Sequence, residues 1–171
     1  MRRLFLFRHA KAVRSKPGTE DRTRALIERG RKDSARIGAY MAAEALVPDR
    51  VLISPAVRTQ ETWKFTAPAF HSALEVVTAE QLYDATVDTI TAIISETPAE
   101  VHSVLVIGHN PELHDLALMK TASGNANAHK RLKKKLPTAG LVIIDFAFDD
   151  WSKLRDQSGR LDRIVTPRSL R

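Results

Sequence analysis

Five short runs of apolar and β-branched residues recur along the chain: 3–8 (RLFLFR), 50–53 (RVLI), 75–78 (EVVT), 103–107 (SVLVI) and 141–148 (LVIIDFAF). Each has the length and composition of a strand. Between them the pattern predicts helices over Asp33 to Leu46, Pro55 to about Phe65, Val87 to Ser95 and Pro111 to Met119. Three of these have start signals. Ser54-Pro55 and Asn110-Pro111 each place a capping side chain before a proline suited to the first helical position, and Thr86 is placed to cap the third. The order is therefore β-α-β-α-β-α-β. Continuous apolar strands alternating with helices predict a mainly parallel central sheet covered on both faces, an α/β fold built as a three-layer α/β/α sandwich. Gly18, Gly124 and Gly159 fall in polar stretches that read as loops. No internal repeat, low-complexity segment or domain boundary stands out, so one domain spanning 1–171 is expected.

In such a sheet ligands bind outside the carboxyl ends of the strands. The residues there are Arg8-His9 after the first strand, Ser54-Pro55-Ala56-Val57-Arg58 after the second, Leu82-Tyr83-Asp84 after the third and Gly108-His109-Asn110-Pro111 after the fourth. Topology thus gathers two histidines, two arginines and a carboxylate at one edge. A single His-Arg pair means little, but coincidence at several strand ends points to a site. The planar donor fork of arginine matches tetrahedral oxygens, and free N–H groups at helix starts add positive potential. The implied ligand is an anion, phosphate above others.

The chain has no cysteine, which removes thiol nucleophiles, thiolate metal sites and disulfides. It also lacks G-x-x-x-x-G-K-[ST], G-x-G-x-x-G and H-E-x-x-H, while His109 and His114 are five apart and miss the i, i+4 face of a helical metal pair. No metal site and no cofactor are expected. Phosphoryl transfer then needs a nucleophile from the protein, and histidine is the remaining candidate at neutral pH.

Charge adds a second feature. The formal charge of +7 comes entirely from residues 120–171, because 1–119 hold equal numbers of basic and acidic side chains. The densest part is Lys130-Arg131-Leu132-Lys133-Lys134-Lys135. It reads as a solvated helix or loop face before it reads as a surface for nucleic acid or an anionic partner, and no aromatic among these lysines offers bases a stacking platform. The N-terminal MRRLFLFRHAK is too short in apolar residues for a secretory signal, and no stretch is long and apolar enough to span a bilayer. A cytoplasmic protein that does not engage a membrane is expected.

The strand-end residues are similar to those of the histidine phosphatase superfamily, with its phosphoglycerate mutase-like fold, and specifically to its small SixA-type phosphohistidine phosphatases. The matching segments are Leu6-Phe7-Arg8-His9-Ala10-Lys11, Arg24-Ala25-Leu26-Ile27-Glu28-Arg29-Gly30, Ser54 through Thr62 (SPAVRTQET), Leu82-Tyr83-Asp84-Ala85, Val106-Ile107-Gly108-His109-Asn110-Pro111 and Pro137-Thr138-Ala139-Gly140. The resemblance implies that His9 is the nucleophile that becomes phosphorylated, and that Arg8, Arg58 and His109 bind the phosphoryl oxygens with Asn110 beside them. It places Arg24 at the pocket edge, although Ala25 stands where a proline is usual. Asp84 fits the place of the general acid of the mutase-like relatives, with aspartate for glutamate, and Glu80 competes for that role. Lys11 follows His9 closely and reads as a solvated lysine before it reads as a pocket-edge residue. His114 is assigned to core or solvent, His71, His102 and His129 to surface or loops, and Trp63 and Phe65 to the core.

The function implied is a cofactor-free phosphatase working through a covalent phosphohistidine intermediate, acting on a phosphorylated protein histidine. The alternatives are a small-molecule phosphomonoesterase and, from another class, a non-catalytic anion- or nucleic-acid-binding protein using residues 130–135. The sequence says nothing of oligomeric state.

Overall fold

A computed structural model describes residues 1–171. The strands are β1 (Arg2–Arg8), β2 (Arg50–Ile53), β3 (Glu75–Thr78), β4 (Ser103–Gly108), β5 (Thr121–Gly124), β6 (Leu141–Phe146) and β7 (Gly159–Val165). The helices are α1 (Glu28–Ala43), α2 (Val57–Thr66), α3 (Val87–Ser95), α4 (Glu112–Lys120) and α5 (Ala126–Lys134). All strands form one sheet in the order β3-β2-β4-β1-β6-β7-β5. The pairings make β6 the one strand that runs against the rest, so the sheet is mainly parallel.

Strand alternation divides the core in two. Leu4, Leu6, Val104, Val106, Val142 and Ile144 face α3, α4 and α5, whereas Phe5, Phe7, Leu105, Ile107, Leu141 and Ile143 face α1 and the partly buried Trp63 and Phe65. The three-layer α/β sandwich follows from this two-sided burial. No helix is long and apolar enough to cross a membrane.

Several sequence expectations need correction. Helix α1 runs from Glu28 to Ala43 rather than Asp33 to Leu46. Gly30, ahead of the expected start, lies inside it at a close approach that only glycine allows, since a Cβ there would sit 2.1 Å from the Lys11 carbonyl oxygen. The helix stops early at its other end because Ala45 takes φ 56° and turns the chain, with Leu46 N donating to Met41 O at 2.8 Å. Neither Pro55 nor Pro111 opens a helix, since α2 begins at Val57 and α4 at Glu112. The Ser54 and Asn110 side chains are drawn away to other partners, described below. Thr86 does cap α3, accepting from Thr89 N at 3.1 Å.

Strands β5 and β7 and helix α5 are absent from the sequence reading, and Gly124 and Gly159 lie in strands rather than loops. In β7 the apolar alternation is interrupted. Ile143 pairs with Arg163 and Ile144 with Leu161, so Asp162 is an extra, bulged residue and Leu161 and Ile164 stand three apart. The basic run forms the last turn of α5 and its exit, with Ala128 and Leu132 buried beneath it. Cations there suit the negative end of the helix dipole.

Candidate active site

The loop that carries His9 is pinned from three sides. His9 N donates to Gly108 O at the end of β4, Arg8 N donates to Gly140 O, and Ala139, in the left-handed region at φ 58°, donates its N–H to both Arg8 O and His9 O. The next residue, Ala10, donates its N–H to Thr62 Oγ1 at 2.9 Å, and Thr62 donates in turn to Arg58 O. The four-residue Pro137–Gly140 segment and the face of α2 therefore set where His9 stands.

The His9 ring is buried, and its Nδ1 lies 2.8 Å from Ala10 O. A carbonyl oxygen only accepts, so Nδ1 carries the proton and the Nε2 lone pair is free. The His109 ring is 5.5 Å from that of His9, centroid to centroid. Its Nδ1 is 3.3 Å from an Arg58 terminal nitrogen, which can only donate, and its Nε2 is 2.7 Å from the Ser54 hydroxyl. In this arrangement His109 accepts from Arg58 and donates to Ser54. Burial is the main cause that pushes both histidines down, His9 to about 3 and His109 to about 4, with the positive charge of Arg58 and Arg8 adding to it. Both rings are neutral at pH 7.

Arg58 is almost wholly enclosed, and a charge in that position needs a partner. Asp21 supplies it. The Asp21 carboxylate accepts from Arg58 at 3.0 Å, from Arg24 Nε at 3.0 Å and from the Tyr83 hydroxyl at 2.5 Å, while its backbone oxygen accepts a second bond from Arg58. The Tyr83 hydrogen bond, followed by Arg58, holds the Asp21 carboxyl far below the usual carboxylate range. Two N–H groups remain without a partner: Arg8 Nε and Arg58 Nε are both buried and unpaired. Buried donors of this kind are costly unless a ligand satisfies them.

Arg58, His109 and Asn110 line a cleft of about 300 Å³ together with Asp21, Tyr83, Asp84 and Glu112. Arg8, Lys11 and His114 line a neighbouring concavity that also includes Asn110. Arg58, His109, Asp84 and Asn110 thus share one cleft and Arg8 borders the adjoining concavity, while His9, in the lining of neither, has its ring beside that of His109. Arg24 reaches the site only through Asp21. Asn110 does not cap α4; its amide donates to Leu136 O at 2.9 Å, the same carbonyl that receives Arg8 at 3.0 Å. Asp84 lines the cleft, whereas Glu80 lies outside its lining, ion-paired with Arg22 at the surface. His114 is not a plain core or solvent residue, since it borders the concavity beside Arg8 while its Nε2 is bonded to Leu132 O.

Sequence reasoning missed three residues. Asp21 precedes Arg24 by three, a spacing that suits an ion pair, and that was its only mark. Ser54 was read as a helix cap. Glu112 opens α4 at the cleft, and burial, with the nearby Asp84 charge, pushes its carboxyl above the ordinary value.

No protein-family model matches the chain. Among known proteins, an uncharacterised protein of Mycobacterium leprae is 32% identical over 151 residues, covering 86% of this chain and 89% of its own. A structure from Agrobacterium tumefaciens assigned as the phosphohistidine phosphatase SixA superposes with a TM-score of 0.79 at 30% identity, covering 97% of this chain and 99% of that one. A second such assignment, from Nakamurella multipartita, gives 0.83 at 24% identity over 97% and 96% of the two chains, which speaks for the fold. The 30% identity to the Agrobacterium structure along nearly the whole of both chains, joined to a shared architecture, makes this protein a histidine phosphatase, a member of the histidine phosphatase superfamily in its SixA-like branch.

Proposed function

We propose that the protein hydrolyses phosphohistidine on a protein, with His9 as the covalent nucleophile. One observation carries the reading: His9 has its Nδ1 proton fixed on the Ala10 carbonyl and its pKa depressed, which leaves an unprotonated Nε2 on a ring 5.5 Å from that of His109 and subject to the charges of Arg58 and Arg8, whose Nε donors lack partners. The SixA assignment of the Agrobacterium relative supports the substrate class.

In the first step the Nε2 lone pair attacks phosphorus, the bond from phosphorus to the substrate imidazole breaks, and its electron pair leaves with that imidazole. Arg8, Arg58 and His109 hold the equatorial oxygens, where charge spreads in the transition state. For His109 to donate to an oxygen its proton must lie on Nδ1. The Ser54 hydroxyl permits this, because it can donate to Nε2 as well as accept from it. In the second step water attacks phosphorus, the P–Nε2 bond breaks with its pair returning to His9, and orthophosphate leaves. Asp84 accepts the water proton. No metal enters either step.

The carboxyl pair Asp84 and Glu112 favours a second reading. Glu112, whose carboxyl burial and the nearby Asp84 charge push above the ordinary value, is suited to give a proton to an alkoxide, as a small-molecule phosphomonoesterase requires. A turnover panel in EDTA separates the two: a phosphohistidine protein, a phosphohistidine peptide, sugar phosphates and an aryl phosphate. The proposal expects the highest kcat/KM on phosphohistidine. A sugar phosphate turned over faster than either phosphohistidine substrate would replace it with the second reading.

A further inference from the structure

The excess positive charge of the chain has a definite place beside the site. The concavity at Arg8, Lys11 and His114 is walled on its far side by Lys134 and Lys135, and those lysines, with Pro137 and Thr138, also wall a second cleft of about 340 Å³. That second cleft adds Arg29, Arg131 and Arg168. Its single acid, Asp33, is already bridged by Arg29 and Arg36. Lys11, Lys134, Lys135 and Arg168 have no ion-pair partner in the protein. The result is a continuous cationic groove running from Arg8 to Arg168.

The groove is also tied to the catalytic pocket. Leu136 O, one residue past Lys135, receives both Arg8 and Asn110. A ligand seated on the lysines therefore touches the same stretch of backbone that braces Arg8.

We propose that this groove docks an acidic stretch of the protein substrate lying beside its phosphorylated histidine. The inference rests on the phosphohistidine reading above. An elongated, open channel of two joined concavities fits an extended segment better than a compact metabolite. Lysine and arginine dominate its walls, which hold no phenylalanine, tyrosine or tryptophan, and its one imidazole, His114, is bonded to Leu132 O, so nucleic acid finds charge but little stacking surface. Complementary charge along such a channel acts on encounter and on KM, leaving the chemical step alone.

The test compares two phosphohistidine peptides of one sequence, with aspartate and glutamate or with asparagine and glutamine beside the phosphorylated residue. The protein is used whole, as wild type and as the triple variant Lys134→Gln, Lys135→Gln, Arg168→Gln, with p-nitrophenyl phosphate as a substrate that leaves the groove empty. The wild type should favour the acidic peptide roughly tenfold, through KM, at low salt. The preference should vanish in the triple variant and in about 0.5 M NaCl, while p-nitrophenyl phosphate turnover stays the same. Equal use of both peptides by the wild type, or a preference that survives in the variant, would overturn the proposal. So would stronger inhibition by a single-stranded oligonucleotide than by the unphosphorylated acidic peptide. If the enzyme cleaves the aryl phosphate but neither peptide, the phosphohistidine reading fails separately; fluorescence anisotropy of the labelled acidic peptide, tight with the wild type and weak with the variant, then decides the docking by itself.

Discussion

Acid should unfold this protein through its two buried histidines, and the size of the effect can be worked from their surroundings. In the unfolded chain a histidine takes up a proton around pH 6.5, whereas burial holds His9 at about 3 and His109 at about 4 in the folded state. Between those values the unfolded state binds more protons, so stability is lost as pH falls. From pH 7 to pH 5 each histidine costs about 2 kcal/mol, or about 4 kcal/mol for the pair, by RT times the logarithm of the ratio of proton-binding terms. That is a large share of an ordinary domain's stability. The assay is urea unfolding at pH 7, 6 and 5, followed by the fluorescence of the buried Trp151, for wild type, His9→Asn and His109→Asn. Carboxylates titrate alike in all three, so the difference between wild type and each variant isolates one histidine. The stability of wild type relative to either variant should fall by about 2 kcal/mol across that range. Saturating phosphate should flatten the slope, because a bound dianion favours the imidazolium form. Parallel pH profiles for wild type and both variants would refute the reasoning, since they would mean that the rings titrate in the folded protein as they do in the unfolded chain.

Other expectations concern catalysis. Arg58→Ala should lower kcat/KM by at least about 100-fold, roughly 3 kcal/mol for a lost transition-state donor, with the fold retained by circular dichroism; a loss below tenfold would remove Arg58 from the phosphoryl contacts. Asp21→Asn keeps an acceptor for Arg58 but removes a negative charge beside the anion site, so inhibition by inorganic phosphate should tighten about fivefold, or about 1 kcal/mol at an effective dielectric constant between protein and water; weaker inhibition would show that Asp21 matters chiefly by holding Arg58 in place. Of Asp84→Asn and Glu112→Gln, the one that removes the leaving-group acid should slow the first step, in single-turnover kinetics, far more for a sugar phosphate than for an aryl phosphate, because only the alkoxide needs a proton to leave. The variant that fails to discriminate between the two is not the leaving-group acid.

The strand ends explain why so much of the site was legible in the sequence. A parallel sheet makes residues far apart in the chain neighbours at one edge, so Arg8, His9, Arg58, His109 and Asp84 could be grouped from strand assignments alone. What escaped were partnerships that cross between elements. Ser54 before a proline carries the mark of a helix cap, and only the packing of β2 beside β4 shows that its hydroxyl belongs to His109. Asp21 sits in a polar stretch with no periodicity, and its importance comes from the enclosed Arg58 that needs a counter-charge. Gly30 gives no local sign that α1 begins before Asp33, because its close approach to Lys11 is a tertiary fact. In β7 the bulge at Asp162 destroys the alternation by which a strand is recognised, and charged residues occupy its outward positions.

The most direct test of the central claim is to trap the covalent intermediate. The protein is mixed with a phosphohistidine peptide carrying labelled phosphate, quenched within the first turnover in alkaline denaturant, and digested for mass spectrometry, since a phosphoramidate survives base and is lost in acid. The expected result is label on the peptide containing His9, stable to base and released by acid, with none on His109 and none in His9→Ala. Turnover by His9→Ala at the wild-type rate, or burst-free hydrolysis with no label on His9 at any quench time, would contradict a mechanism that passes through this residue.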